Sequence, residues 1–551
     1  MAPDTWYMPT NRLFYGDNLP VLREHIASES VDLVYLDPPF NSNRSYSVIF
    51  GEHVKRDADA NAQIQAFDDT WHWTSETERL FRDILINSPA AVADAMQAFR
   101  NLLGENDAMA YLVMMAPRLV ELHRALKPTG SLYLHCDSTM SHYLKVLLDQ
   151  IFGAEHYRNE IIWKRTTGVK GNAGQGARHY GRSTDTIFYY VKSKIAPYYQ
   201  QFGEYTQEAI AKQFKHVEEG TGRRYSLDPI DGPGGAAKGN AFYELMGVAG
   251  YWRYSREVMN KLVAEGRIVQ TKPGNKPRRK KYLDEGKGVA VSNLWTDLPN
   301  LQASSAEALG YPTQKPLSLL ERIIQTSTQP GDVVLDPFCG CGTTVDAAQK
   351  IGRSWVGIDI TYISIDLIIK RLQATFGQSV MENVEVDGIP YDMQSAQRLF
   401  EKSPFDFERW AVSMLHAQPN EKQVGDKGID GVRRFIIDNK TTGKVLVSVK
   451  GGKTVPPTHV RDLAGTVHNA RDAQLGVLIT LNDSLTRGAQ EVIDTSGFWT
   501  HPANGQDFPT LQHISVRELM SGNRPNLPTA LAPYISARRG IELVDQGTLF
   551  G

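Results

Sequence analysis

The sequence is poor in cysteine, in long apolar runs and in net charge. Only three of its 551 residues are cysteine, which excludes a disulfide-stapled fold and favours a reducing compartment. No apolar run approaches the length of a membrane-spanning helix, and no secretion signal is recognisable. Lysine and arginine number 60 against 62 aspartates and glutamates, so any surface for a polyanion requires local segregation of charge. A chain of this length predicts about three to four folded units.

The stretch VDLVYLDPPF places polar and rigid residues at the end of an apolar strand. Val31–Leu36 is apolar enough for a strand covered on both faces. Asp37 follows at the carboxyl end, where ligands bind in open α/β sheets. Pro38 and Pro39 stiffen the chain and leave carbonyl groups free to accept hydrogen bonds. With the ring of Phe40, this pattern favours a flat ligand that carries an amino group, although an ordinary turn with a solvated aspartate fits equally well.

A second stretch, GDVVLDPFCGCGTTVDAAQKIGRSWVGIDI, begins at Gly331 and predicts a strand, a glycine turn, a helix and another strand. The first strand, at 333–335, leads into the turn at 338–342, and the last strand ends at Asp359. Glycines let the backbone approach a ligand closely, and an acidic residue about 20 positions further on suits ribose hydroxyls. Because the turn departs from the dinucleotide pattern GxGxxG, it predicts a nucleoside cofactor that lacks a pyrophosphate.

The two stretches together resemble the paired signature of the S-adenosylmethionine-dependent DNA amino-methyltransferases. The catalytic motif precedes the cofactor motif, as in the β class, which includes type III modification subunits and cell-cycle adenine methyltransferases. Four further blocks match that family, namely GDNL from Gly16, LYLHCDSTMSHYLKVLLDQIFG from Leu132, NEIIWKR from Asn159 and YPTQKPLSLLERII from Tyr311. The resemblance spans most of residues 10–375.

The resemblance implies an α/β fold with a doubly wound, Rossmann-like methyltransferase core in permuted motif order. On this basis we expect a division into six parts. They are a catalytic half (1–50 and 111–195), a helical insertion (51–110), a target-recognition region (196–300), a cofactor-binding half (301–390), a small α/β domain (391–503) and a tail (504–551).

The family also implies a catalytic role for each residue of the first motif. The target base leaves the duplex and enters a pocket, where Phe40 stacks on it. The Asp37 carboxylate and the Pro38 carbonyl accept its two amino hydrogens, and Pro39 keeps this segment rigid. Catalysis then rests on orientation and electrostatics, without a covalent enzyme intermediate. DPPF favours adenine N6 over cytosine N4, whose enzymes commonly carry SPPY, but cytosine stays an alternative.

Cofactor residues follow from the same resemblance. The glycine turn is expected to lie beneath the methionine moiety, and Asp359 to bind the ribose. Asp17 is expected to meet the adenine amino group of S-adenosyl-L-methionine. The turn residues and those expected near the methionine end are Phe338, Gly340, Gly342, Asp336, Thr313 and Lys315. His135 and Asp137 match a block that lines the pocket, but a hydrogen-bonded core histidine is an equally good interpretation.

Double-stranded DNA is the expected partner of a basic segment between the two halves. Residues 251–287 hold eleven basic and four acidic side chains, a net charge of +7, with aromatic residues interleaved, as a phosphate-tracking surface would. A solvated charged face is the alternative. Candidate contacts, mostly to phosphate, are Arg253, Arg278, Arg279, Lys280 and Lys281, with Lys164, Arg165 and Arg182 around a glycine-rich segment.

After residue 390 the pattern of helices and strands resembles the Mrr-type branch of the PD-(D/E)XK restriction-endonuclease fold. Its nuclease motif residues correspond here to Glu408, Asp430, Ser448 and Lys450, with Asp430 the possible Mg²⁺ ligand. Ser448 departs from the family, because a serine hydroxyl is a weak ligand beside a carboxylate. Two hypotheses follow: a bifunctional methyltransferase and nuclease, or a methyltransferase whose last domain only binds DNA or a partner.

The end of the chain and the assembly lead to further expectations. QGTLF resembles the peptide that docks on the bacterial sliding clamp, through Gln546, Leu549 and Phe550, and a frayed terminus is the alternative. A homodimer or a separate restriction subunit is a possible partner. A DNA-modifying enzyme of this type is expected in the cytoplasm, associated with the nucleoid.

Overall fold

The computed structural model describes most of the chain. The described residues are 11–39, 71–166, 180–301, 305, 307–309, 311, 313–390, 392–419, 428–437, 441–452, 454–470, 472–483 and 485–529, with the backbone of 45–48 and 64–68. Phe40 and the clamp peptide residues Gln546, Leu549 and Phe550 lie outside them. No helix in the described ranges is long and apolar enough to cross a membrane. Gln200–Ser292 form one compact unit, and the described residues on either side form another.

The larger unit is built on a nine-stranded sheet. Its strands, in spatial order, are Leu294–Trp295, Tyr157–Lys164, Thr184–Val191, Leu126–Cys136, Val31–Leu36, Val333–Asp336, Ser354–Asp359, Asn11–Tyr15 and Val384–Asp387. Thr184–Val191 runs antiparallel to both neighbours, whereas the other pairs are parallel. The two motif strands are adjacent, with Val334 opposite Leu33 and Leu335 opposite Val34. This arrangement confirms the predicted doubly wound core.

Helices pack on this sheet in two groups. The first contains Asn18–His25, Asp107–Ala125 and Ser141–Phe152, and the second contains Leu317–Ser327, Thr343–Lys350 and Tyr362–Phe376. Helix Asp107–Ala125 shows why the sequence folds this way, because Asn106 caps it by accepting a hydrogen bond from the Met109 amide at 2.9 Å. Arg124 lies in the last turn, where its positive charge complements the helix dipole.

The predicted helical insertion is helical in its second part. Helices Ser75–Asn87 and Ala90–Leu103 pack on the first group of core helices. Before them, the backbone of Ile64–Asp68 pairs as a strand with Ser45–Val48, so the insertion also contains half of a hairpin. Short 3-10 helices lie elsewhere in the chain, at Ala154–His156, Gly235–Lys238, Leu283–Glu285 and Gln378–Asn383.

The smaller unit, Gln200–Ser292, corresponds to the predicted target-recognition region. Its main sheet is antiparallel, with strands Ile268–Val269, Arg278–Tyr282, Arg224–Pro229 and His216–Val217 in spatial order. Two hairpins, Ala241–Leu245 with Val248–Trp252 and Phe202–Gly203 with Val289–Ala290, and the helices Gln207–Gln213 and Arg256–Ala264 complete it. The unit has its own apolar core around Trp252, Met259 and Ile268.

The C-terminal domain is an α/β domain with a five-stranded sheet. Its strands, in spatial order, are Gln418–Pro419, Gly431–Ile436, Thr442–Lys450, Ala473–Thr480 and Leu511–Ser515. The helices are Met393–Lys402, Pro404–Ser413, Pro457–Asn469, Arg487–Asp494 and Val516–Met520, and a small hairpin joins Phe498–Thr500 to Asp507–Pro509. The α-β-β-α-β-α order agrees with the predicted nuclease-like fold.

The predicted end of that domain at residue 503 is too early. Leu511–Ser515 pairs in parallel with Ala473–Thr480, and both Leu511 and Ile514 are buried. The prolines around this strand suggested a tail, but its apolar residues complete the core of the sheet.

Candidate active site

A cavity of about 300 Å³ opens at the carboxyl ends of the two adjacent motif strands. Of the eight predicted cofactor residues, seven line it, namely Asp17, Thr313, Lys315, Asp336, Phe338, Gly340 and Asp359. Asp37, Pro38 and Pro39 line the same cavity, as does Trp71 from the segment before the inserted helices. The structure therefore brings the predicted catalytic motif and the predicted cofactor motif together in one space.

Gly342 is the predicted cofactor residue that does not line the cavity. Its φ angle is 75°, in the region that favours glycine. A Cβ atom there would lie 2.6 Å from Cγ1 of Ile368 on helix Tyr362–Phe376. Glycine is therefore required at this position for helix packing, whereas Gly340 lies at the cavity.

Asp359 organises the glycine turn from the neighbouring strand. Its carboxylate accepts hydrogen bonds from the Gly340 amide at 2.9 Å and from the Thr361 amide and hydroxyl at 2.8 Å. Burial raises the pKa of Asp359, and these hydrogen bonds oppose the rise. The carboxylate thus holds the turn in place at the position predicted for ribose binding.

Asp336 lies under the turn and is only 3% exposed. It accepts hydrogen bonds from the Phe338 amide at 3.0 Å and the Thr344 hydroxyl at 2.5 Å. Burial raises the pKa of this carboxyl group to about 7, against the effect of the two hydrogen bonds, and the charges of Asp37 and Asp359 add to the rise. Asp336 therefore titrates near neutral pH in the cofactor-free protein.

Asp37 is held by the lysine that was predicted to contact the cofactor. The Lys315 ammonium donates a hydrogen bond to Oδ2 of Asp37 and lies 3.4 Å from the Thr313 carbonyl oxygen. Oδ1 of Asp37 is buried and receives no hydrogen bond from the described residues. Half of this carboxylate is therefore engaged by the protein, and the other half is an open acceptor.

Arg118 is a site residue that the sequence reasoning missed. Its buried guanidinium donates to Oδ1 of Asp17 at 2.7 Å, to Oδ1 of Asn18 at 2.5 Å and to the Met114 carbonyl at 2.7 Å. Asn18 in turn donates to the Pro337 carbonyl at 2.7 Å. Burial lowers the pKa of Arg118, and the Asp17 charge opposes this effect. The available signal was a single cation within a run of apolar residues at 109–119.

His135 is a buried, hydrogen-bonded core residue, as one of the two interpretations held. It is completely buried and bridges the Tyr35 hydroxyl, 3.1 Å from Nδ1, and the Asp185 carboxylate, 3.2 Å from Nε2. Burial tends to raise the pKa of Asp185, but His135, Arg165 and Lys315 together lower it. Asp137 accepts hydrogen bonds within its own turn and does not line the cavity.

The DNA candidates of the larger unit differ in exposure. Arg165 forms an ion pair with the buried Asp185, with Nε 3.3 Å from Oδ1. Arg182 is 66% exposed and lies 3.9 Å from Asp137, and Lys164 is half-buried at the end of its strand. Of the three, Arg182 is the one whose side chain is mainly in solvent.

The predicted DNA-binding residues of the smaller unit also differ in exposure. Arg279 donates to the Tyr254 hydroxyl at 2.8 Å, and Lys280 forms an ion pair with Glu218 at 2.7 Å. Arg278 and Lys281 on the same strand are exposed. Arg253 is also exposed, although its Nε donates to the Asp231 carbonyl at 2.9 Å. Arg279 and Lys280 therefore contribute to the fold of this unit.

In the C-terminal domain, three of the four nuclease-like candidates meet. Asp430 Oδ2 accepts a hydrogen bond from the Val449 amide at 2.6 Å and lies 3.4 Å from the Lys450 ammonium. The Ser448 hydroxyl donates to the Gly428 carbonyl at 2.8 Å and lies 3.3 Å from the same Asp430 oxygen. Glu408 lies half-buried on helix Pro404–Ser413. Among the described residues, no group of three histidine, cysteine or acidic side chains is placed to hold a metal.

The raised pKa of Asp336 predicts a pH-dependent effect of Asp336→Asn on stability. In the wild type, the folded state binds the proton more tightly than the unfolded state, so the free energy of unfolding contributed by this group falls as the pH rises from about 4 to about 7. The neutral amide removes this dependence. We expect denaturant unfolding of the cofactor-free proteins to show that the free energy of unfolding of the variant, relative to that of the wild type, is about 3 kcal/mol higher at pH 8 than at pH 5. A stability difference that is the same at both pH values would contradict the assignment.

Comparisons with known proteins agree with this geometry. A family model described as DNA methylase matches residues 31–370, and one described as restriction endonuclease matches residues 400–498. The type II methyltransferase M.EcaI of Enterobacter cloacae is 28% identical over 367 residues, which are 66% of this chain and 69% of that protein. The StyLTI Mod subunit, a type III restriction-modification enzyme of Salmonella typhimurium, is 26% identical over 62% of this chain, which spans half of that protein.

A third relative, the DNA adenine methyltransferase YhdJ of Escherichia coli, is 26% identical over 68% of this chain and 86% of its own length. The DNA methylase model covers more than half of the 551 residues, and its match contains both strands that form the cavity. This protein therefore belongs to the DNA methylase family, and the segment that matches the restriction endonuclease model follows its methylase region.

Proposed function

We propose that the protein transfers a methyl group from S-adenosyl-L-methionine to the N6 amino group of adenine in DNA. The observation that carries this proposal is the cavity in which Asp37 and the glycine turn meet. One buried oxygen of Asp37 has no hydrogen bond from the described residues, as expected for a carboxylate that waits for an amino group.

The cavity residues fit the proposed cofactor. Asp17 and Asp359 provide acceptors for the hydroxyl and amino groups of a nucleoside, the Phe338 ring and Gly340 form an open floor, and Lys315 is a cation for a carboxylate. The cofactor, when bound, supplies a methyl group on a positively charged sulfur. The ionised form of Asp336 favours that positive charge.

The protein's own contribution is to hold the base and shape its nucleophile. Asp37 and the Pro38 carbonyl would accept the two amino hydrogens, which directs the nitrogen lone pair away from the base plane. Trp71 lines the same cavity and would bound the base pocket. Stacking of Phe40 on the base stays a prediction from the sequence. Orientation and preorganised acceptors then lower the barrier, and no covalent intermediate is needed.

Adenine is favoured over cytosine by the DPPF motif and by the YhdJ relative, whose name specifies adenine. Cytosine N4 would use the same acceptors and the same geometry. The identity of the methylated base is therefore an outcome of the first experiment.

Transfer of labelled methyl groups to unmodified genomic DNA, followed by nucleoside analysis, tests the proposal. The wild type should yield N6-methyladenine, and Asp37→Ala should lose about 10³-fold in rate because an essential acceptor is gone. Asp137→Asn is the matched control, since Asp137 ends the neighbouring strand but does not line the cavity, and it should keep wild-type activity. Recovery of N4-methylcytosine would identify cytosine as the target base and leave the proposed site unchanged. Full activity of Asp37→Ala would show that Asp37 has no catalytic role.

We further propose that Gln200–Ser292 provides phosphate contacts through its exposed basic residues. This unit holds 16 lysines and arginines against 11 aspartates and glutamates, a net charge of +5, although the whole chain has a net charge of −2. Arg278 and Lys281 on one strand are exposed, although Arg278 also donates to the Leu227 carbonyl at 3.3 Å, whereas the charged groups of Arg279 and Lys280 are bound to Tyr254 and Glu218. The first two residues are therefore the better candidates for DNA.

The salt dependence of DNA binding tests these two contacts. Each phosphate contact contributes about 0.9 to the slope of log K against log salt, so Arg278→Gln with Lys281→Gln should reduce the slope by about 2. Lys212→Gln changes the charge of the exposed helix Gln207–Gln213 in the same unit and should leave the slope nearly unchanged. An equal reduction in the control would indicate a general charge effect instead of local contacts.

For the C-terminal domain we propose a binding role without DNA cleavage. Ser448 offers Mg²⁺ a neutral hydroxyl that already donates to the Gly428 carbonyl, and a neutral oxygen is a weaker ligand than a carboxylate. Lys450, which forms an ion pair with Asp430 at 3.4 Å, offers an ammonium group for a DNA phosphate. Mg²⁺ binding at Asp430 belongs to the alternative, in which the domain cleaves.

Nicking of unmethylated supercoiled plasmid in the presence of Mg²⁺ distinguishes the two roles. The wild type should nick no faster than Asp430→Ala, because the ligand set is incomplete. Mg²⁺-dependent nicking that disappears in Asp430→Ala would establish a bifunctional enzyme. Docking on the sliding clamp and dimer formation stay predictions from the sequence, since the clamp peptide lies outside the described residues.

A further inference from the structure

Lys315 is placed to serve two anions in the cavity. Its ammonium already binds Asp37, and both side chains are largely shielded, with 11% of Lys315 and 15% of Asp37 exposed. The resemblance places the methionine carboxylate of the cofactor at the same lysine. One cation is therefore required at two positions.

The other charges of the cavity do not relieve this demand. Among its lining residues, four carboxylates, those of Asp17, Asp37, Asp336 and Asp359, stand against two cations. The second cation, Arg118, is buried and already donates to Asp17 and Asn18. A carboxylate that enters next to Thr313 therefore meets Lys315, whose ammonium lies 3.4 Å from the Thr313 carbonyl oxygen.

We infer that Asp37 and the carboxylate of the cofactor compete for Lys315, so that binding of the cofactor releases the catalytic carboxylate from its ion pair. This inference rests on the proposed cofactor. Because coupling between two sites is reciprocal, an uncharged residue 37 must strengthen cofactor binding through Lys315. Conversely, a loaded cofactor must leave Asp37 a stronger acceptor for an amino group.

The consequence for the reaction is an order of events. Before the cofactor binds, the ammonium withdraws negative charge from Oδ2 of Asp37, and the carboxylate accepts an amino hydrogen less strongly. After the cofactor binds, both oxygens are free to accept. Asp37 thus becomes a strong acceptor for the base amino group only when the methyl donor is bound.

Titration calorimetry with three ligands and no DNA tests the competition in the full chain. S-adenosylhomocysteine carries the carboxylate and a neutral sulfur, so its affinity does not include attraction of a sulfonium to Asp37. Methylthioadenosine has the same nucleoside without the amino-acid end and controls for an intact pocket. S-adenosylmethionine adds the sulfonium charge.

The competition predicts a pattern across Asp37→Asn, Lys315→Gln and the double variant. Asp37→Asn should bind S-adenosylhomocysteine about tenfold more tightly than the wild type, a typical size for such coupling. Lys315→Gln should bind S-adenosylhomocysteine about tenfold more weakly than the wild type. The double variant should bind it with the same affinity as Lys315→Gln alone. Methylthioadenosine affinity should be unchanged in all three, and the gain in Asp37→Asn should be smaller for S-adenosylmethionine because its sulfonium loses an attractive charge.

Two outcomes would overturn the inference without touching the proposed function. Equal affinity of the wild type and Asp37→Asn for S-adenosylhomocysteine would show that Lys315 serves both groups without competition. A gain of the same size for methylthioadenosine would assign the effect to pocket reshaping. If the wild type binds none of the three ligands, the proposed cofactor is wrong, and the inference fails together with the proposed function.

Discussion

The parallel pairing of strands Val31–Leu36 and Val333–Asp336 is the constraint on which the site depends. The two strands are about 300 residues apart in sequence, yet Leu33 lies opposite Val334 and Val34 opposite Leu335. Because both strands are almost fully buried, a one-residue shift in register would exchange the side chains on their two covered faces and disrupt the close packing of both. Their carboxyl ends are therefore fixed side by side, and the loops that follow them have to share one cavity.

The carboxylates that line this cavity are partly removed from water, and the fold stabilises each of them through local contacts. Asp336 is buried under the turn and its pKa is raised to about 7, Asp17 is bound by Arg118, and Asp37 is bound by Lys315. Each carboxylate is thus placed in a different electrostatic environment. Among the described residues that line the cavity, the arrangement leaves one buried acceptor oxygen, on Asp37, without a hydrogen bond, in a position to accept from an amino group.

Much of this site is local in sequence and could be predicted from it. The DPPF segment directly follows one apolar strand and the DPFCGCG segment begins at the last residue of another, so their positions at the sheet edge follow from strand patterning alone. Long-range partners were not predictable. The ion pair between Lys315 and Asp37 joins residues 278 positions apart, and the role of Arg118 depends on a loop 101 positions away.

The basic segment shows the same limit. Runs of arginine and lysine indicate charge but not contacts, and only the folded unit shows that Arg279 binds Tyr254 and Lys280 binds Glu218 while Arg278 and Lys281 are exposed. The end of the last domain was misjudged for a related reason, since Leu511–Ser515 becomes recognisable as a core strand only beside Ala473–Thr480. The requirement for glycine at position 342 is likewise set by close packing against Ile368, which lies 26 positions further along the chain.

The proposed reaction requires the cofactor to lie between the two motif loops. Photochemical crosslinking of S-adenosylmethionine to the full chain, followed by peptide mapping, tests this placement most directly. The account predicts label on peptides that contain cavity-lining segments, 16–18, 37–39 or 336–341, and suppression of that label by excess S-adenosylhomocysteine. Specific label confined to Gln200–Ser292 or to the C-terminal domain would contradict it.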